Sequence, residues 1–211
     1  MSKKNSRTHT RTLVEGALMI ALSTVLSTIQ IPLMPHGGSI TLFSMLPILV
    51  VSYRHGTAWG LMTALVNSLI QLVQGLGNLA YCQTLGAQIG CILLDYLLAF
   101  SVLGLANAFS PPLEKRAGSI ALGCTTVCLL RFLCSVLSGY VVWKDYDYAF
   151  EWLNNFSWGA WFTATLGENA LCWAYSLIYN ATYMLPETIL TVAGAAVAAR
   201  MYPQLFRRQN G

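Results

Sequence analysis

The chain has 211 residues, of which 55% are hydrophobic and only 9% charged, and its net charge is +4. Soluble domains carry roughly a quarter of their residues as charges, so a soluble globular class is excluded and a polytopic membrane protein is expected. A helix needs roughly 20 apolar residues to span a hydrocarbon core of about 30 Å. Only helices and closed barrels satisfy their backbones there, and the apolar runs here are far longer than barrel strands.

Lys3, Lys4, Arg7 and Arg11 precede the first apolar run, 13–31, and 1–12 read as a polar tail. Charge followed by an apolar run is also the order of a signal peptide. No convincing small-residue cleavage site follows and further runs lie behind it, so a retained first helix is expected. Pro32, Pro35, Gly37 and Gly38 make 32–43 a loop. The second run, 44–53, contains Pro47 and is too short to cross the bilayer squarely; Arg54, His55 and Gly56 turn the chain. The third run, 58–76, breaks at Gly75, Gly77 and Asn78. The fourth, 85–109, ends before Pro111 and Pro112, and Glu114, Lys115 and Arg116 form a polar turn. The fifth covers 118–143. An aromatic-rich connection, 144–167, leads to the sixth run, 168–201, which Pro186 is expected to interrupt. With no internal repeat or second domain, the fold class is all-α: one six-helix transmembrane bundle over 1–211.

In that topology the tail, Arg54, Lys115, Arg116 and the C-terminal Arg200, Arg207 and Arg208 share one side, while Lys144 lies on the other. This positive-inside pattern predicts that both termini are cytoplasmic. The net positive charge then reflects topology, and nucleic acid is not an expected partner. The aromatic connection, with Trp152, Phe156, Trp158 and Trp161, reads either as an interfacial anchor or as a lid over an outward-facing pocket.

Asp95 and Arg131 fall near the centres of apolar runs. A charge there is costly and is kept for a partner, a cavity or a ligand. Counting residues from the outer helix ends at ~1.5 Å each places Asp95, Arg131 and Asn180 at a shared depth of roughly 15–18 Å. Polar residues also fall at helical spacing: Arg131, Ser135 and Ser138 on the fifth run; Ser176, Asn180, Tyr183 and Glu187 on the sixth; Gln88 and Asp95 on the fourth. One reading is a polar cavity open to the outside. The other is interhelical hydrogen bonding, with Asp95 and Arg131 as a structural ion pair. Tyr96, Trp143, Tyr175 and Tyr179 offer aromatic faces beside these stripes, which suits a flat cationic ligand.

Catalytic patterns are missing. His9, His36 and His55 all fall in the tail or in turns, and there is no HExxH, GxSxG or GxxxxGK[ST]. An enzyme is therefore not expected, and any use of ATP requires a partner. Of the six cysteines, all but Cys82 lie inside apolar runs and read as small buried hydrophobes. No disulfide, metal or cofactor is expected. On the first helix, Ala17 and Ala21 are four apart, a spacing that lets another helix approach closely.

The chain resembles the thiamine-specific substrate-binding (S) components of energy-coupling factor transporters, the ThiT family. The resemblance covers nearly the whole length. It is carried by Glu15-Gly16-Ala17, Gly38-Ser39-Ile40-Thr41-Leu42, Met45-Leu46-Pro47-Ile48 and Leu94-Asp95-Tyr96. It continues through Ser138-Gly139 with Trp143, and Tyr175-Ser176-Leu177-Ile178-Tyr179-Asn180 with Tyr183-Met184-Leu185-Pro186-Glu187. The resemblance implies six membrane helices, high-affinity capture of thiamine from outside, and assembly with a transmembrane coupling protein and two ATPases in a bacterial plasma membrane. It implies that Ala17 and Ala21 dock the coupling protein and that about 35–41, within the outer loop 32–43, forms a gate. Asp95, Tyr96, Arg131, Ser135, Trp143, Tyr175 and Asn180 match the family's ligand positions. At Ser135 the family commonly has histidine, and the gating loop here has Met34 and His36 but no tryptophan. The other readings are an S-component for another vitamin or heterocycle, an intramembrane lipid-acting enzyme, and a structural adaptor.

Overall fold

The computed structural model describes residues 3–33, 38–111 and 116–208. Met34, Pro35, His36 and Gly37 of the expected gate, and Glu114 and Lys115 of the expected polar turn, lie outside these residues. The described structure is mostly helical.

Helix α1 (Lys3–Thr28) starts well inside the expected polar tail. Nothing between Lys3 and Glu15 breaks a helix, so the turn-forming pattern extends ahead of the apolar run. At its other end, Ser27 and Thr28 turn their hydroxyls back onto Thr24 O and Val25 O, each at 2.7 Å. The expected loop that follows contains a β-hairpin. Strand β1 (Gln30–Pro32) pairs antiparallel with β2 (Ser39–Thr41), Gln30 opposite Thr41 and Pro32 opposite Ser39. Phe43, in the left-handed region at φ 58°, then reverses the chain into α2.

Helix α2 (Leu46–His55) is the most enclosed element. Pro47 sits in its first turn, where the missing N–H is harmless, and Pro47 through Tyr53 are buried. Ten residues rise about 15 Å, half the hydrocarbon thickness. The core packs Ile48, Leu49 and Tyr53 of α2 against Leu103, Val127 and Ala195 of later helices. Gly56 at φ 89° turns the chain into α3 (Thr57–Gln74). A Cβ on Gly60 of α3 would lie 2.6 Å from Gly104 O. That close approach brings α3 against α4 (Leu85–Leu105).

Helix α4 is not uniform: Ile92–Leu98 is π-helical and Val102–Leu105 is a 3-10 turn. Helix α5 spans Arg116–Val141. The aromatic connection is itself folded into α6 (Tyr146–Asn154), capped by Asp145 accepting from Tyr148 N at 3.0 Å, and α7 (Gly159–Thr165). Helix α8 (Glu168–Met201) runs through Pro186 unbroken, contrary to the expected interruption. Proline removes one backbone bond, but ending the helix in a bundle interior would strand more polar groups.

Among the described residues, three helices are long and apolar enough to cross a membrane: α4, α5 and α8. At one end of the bundle Glu15 pairs with Arg54 at 2.6 Å and with His55 at 3.2 Å, and Arg116 donates to Phe206 O. At the other end Lys144 donates to Asn169 at 2.7 Å. Arg54 and Arg116 therefore share one end of the bundle and Lys144 lies at the other.

Candidate functional site

Asp95 lies inside the π-helical stretch of α4. Such stretches shift the angular register of a helix and recur at functional sites. Trp143 stands two residues beyond the end of α5, and its indole Nε1 donates to Asp95 Oδ2 at 3.0 Å. Fully buried Ser138, together with Cys91, lies against the same carboxylate. Among the described residues, no lysine, arginine or histidine forms an ion pair with Asp95.

The partner of Arg131 is Glu187. Nη1 of Arg131 lies 2.9 Å from Glu187 Oε2 and also 2.9 Å from Met45 Sδ, and the guanidinium sits 4.5 Å from the centre of the Phe100 ring. This corrects the reading of Asp95 and Arg131 as an ion pair. It also corrects their shared depth: Asp95 meets α5 at Ser138 and Trp143, about two turns or more beyond Arg131. Counting from helix ends assumes uniform helices standing upright, and α4 is not uniform. Glu187 was visible in the sequence as the last member of the polar stripe on α8, but its side chain's destination was not.

Asn180, 5% exposed, ties α8 to α5. Its Nδ2 donates to Ser176 O at 2.9 Å and to Ser135 O at 3.4 Å, and its Oδ1 accepts from Tyr183 at 2.7 Å. One turn away, Ser176 Oγ donates to Val136 O at 2.7 Å. Gly139 permits the crossing, because a Cβ there would press on Ser176. Ser135 thus sits where the two helices meet.

The hydroxyl of Tyr96 is held at the turn after α3: it donates to Gly75 O and accepts from Asn78 Nδ2, both at 3.1 Å. Its ring packs in a small cluster with Cys82, Cys91 and Trp143. Tyr175 belongs to a separate aromatic wall. Its ring lies 5.5 Å from Tyr179, 5.4 Å from Trp152 and 5.9 Å from Tyr148, and Tyr179 lies 6.1 Å from Tyr183. Tyr148 and Trp152, one turn apart on α6, belong to this wall, although neither is among the sequence-predicted site residues. Their i, i+4 spacing was the available signal.

Ala17 and Ala21 are exposed on α1, beside Leu18 at 64% and Leu22 at 47% exposure. The described residues contain no group of three or more metal-ligating side chains. Chemically, the polar interior combines a carboxylate with no cationic partner among the described residues, aromatic faces and amide donors, a set of the kind that suits a flat cationic ligand.

Comparison with known proteins gives concordant results. The family described as "Thiamine transporter protein (Thia_YuaJ)" matches residues 13–160. The thiamine transporter ThiT of Bacillus subtilis is 30% identical over 197 residues, 92% of this chain and 93% of that protein. ThiT of Lacticaseibacillus paracasei is 24% identical over 205 residues, covering 94% and 92%. A solved structure of ThiT from Listeria monocytogenes superimposes with a TM-score of 0.70 at 20% identity, covering 95% of this chain and 99% of that one.

Proposed function

Since this chain belongs to the thiamine transporter family, we propose that it is the substrate-binding component of an ATP-driven vitamin importer, capturing thiamine outside a bacterial plasma membrane. The family is one of membrane transporters and not of enzymes. Six segments span the membrane in this reading, with both termini in the cytoplasm. The chain carries no nucleotide-binding loop, so a membrane coupling protein and two ATPases power release inside. Ala17 and Ala21, exposed on α1, form the docking face for the coupling protein.

The observation that carries this reading is the Asp95 carboxylate, bonded by the Trp143 indole at 3.0 Å and paired with no cation among the described residues. Arg131 and Glu187 neutralise each other, so among the described residues Asp95 is left as an interior acid with no cationic partner. A singly charged cation such as thiamine balances it, and the aromatic faces of Trp143 and Tyr175 add attraction to a flat positive ring. Asn180 and Ser135 bond the polar edge of the ligand. In this reading Tyr96 and Arg131 complete the ligand set.

Titration of the purified protein with thiamine, followed by tryptophan fluorescence, tests the proposal. Saturable quenching below micromolar thiamine is expected. An unchanged spectrum at micromolar thiamine overturns it.

A further inference from the structure

A three-residue, two-stranded hairpin does not hold its shape alone, so something must fix β1 and β2 to the bundle. Helix α2 ends at the basic end, beside Glu15, and is about half a membrane long. The strand that feeds it therefore reaches down to mid-bundle, where every backbone polar group needs a protein partner. The partner found there is Glu187, 2% exposed, in the second half of α8.

Glu187 uses its two oxygens for two different elements. Oε2 takes Arg131 of α5 at 2.9 Å. Oε1 takes the Thr41 hydroxyl and lies 3.4 Å from the Thr41 backbone N–H. Thr41 Oγ1 also meets Ser44 Oγ at 2.6 Å, and Ser44 O accepts from Ser23 of α1 at 2.7 Å. A single buried carboxylate thus joins α5, α8 and the strand, with α1 two bonds further on through Ser44.

We propose that Glu187 is a positioning residue for ligand retention: it anchors β2 through Thr41 while holding Arg131, so that the hairpin and the polar interior move as one body. The proposal rests on the transport reading for its ligand, and its structural half stands without it. When the Thr41 arm is lost, the strand detaches while Arg131 stays neutralised, and bound ligand escapes faster.

The experiment compares Thr41→Val with Thr41→Ser in the full-length protein. Valine removes the hydroxyl, and with it the bonds to Glu187 and Ser44, and leaves the ion pair; serine keeps the hydroxyl and both bonds. Hydrogen–deuterium exchange of the ligand-free protein reads the strand directly, and release of radiolabelled thiamine reads retention. For Thr41→Val, exchange over 39–43 and thiamine release both rise about tenfold, the order expected for one hydrogen bond to a charged group. Thr41→Ser stays within about twofold of wild type. Wild-type exchange in Thr41→Val, or equal effects of valine and serine, overturns the anchor. A wild-type protein that binds no thiamine overturns the transport reading instead, and the exchange comparison still decides the anchor.

Discussion

The indole of Trp143 and the carboxylate of Asp95 meet at 3.0 Å, joining the chain just past the end of α5 to the π-helical stretch of α4. The bond orients the indole, and because the donor is neutral it gives Asp95 no counter-charge. A cation near Asp95 would therefore meet an oriented aromatic ring and a carboxylate together.

Replacement of Asp95 by asparagine keeps the size and the acceptor for Trp143 and removes only the charge. Thiamine affinity is expected to fall about 100-fold, in line with the loss of a charge-assisted contact. Calorimetric titration reads the affinity, and an unchanged melting temperature separates this from unfolding.

Trp143→Phe keeps a ring and loses both the indole donor and the larger π-face. Affinity should drop about tenfold. The thiamine-dependent quenching should shrink by more than the share of emission that one of six tryptophans would supply. Quenching that survives intact would assign the fluorescence response to Trp152 or another ring.

Glu187→Ala leaves Arg131 buried without its counter-charge, a change that costs about 3–5 kcal/mol in comparable sites. The double variant Glu187→Ala with Arg131→Met should recover much of that loss, because it removes both charges. Thermal unfolding in detergent compares the single and double variants. A double variant less stable than Glu187→Ala would refute the pairing as the source of the loss.

Ala17→Trp together with Ala21→Trp fills the open face of α1 without touching the interior. Thiamine binding should be unchanged, while ATP-dependent uptake by cells carrying the full transporter should be lost. Uptake at the wild-type rate would remove this face as the docking surface.

Gly60→Val forces a side chain against the backbone of Gly104, where a Cβ alone would lie 2.6 Å from a carbonyl oxygen. Separating α3 from α4 should lower stability by about 1–3 kcal/mol, visible as a reduced melting temperature.

Membrane class, the placement of the apolar runs, the separation of basic residues and the polar stripes of α5 and α8 were all determined by the sequence itself. Each depends on local hydropathy or on a helical period, and a chain displays both without folding. Only the tertiary structure decided that Arg131 answers to Glu187, that Asp95 answers to Trp143, and that β2 ends on α8. These pairings depend on which helix faces meet and at what depth. The π-helical stretch alters the register of α4, a proline passes through α8 without ending it, and a strand descends where a loop was expected. Interhelical geometry of this kind arises from packing between segments far apart in the chain, and no residue spacing along one helix encodes it.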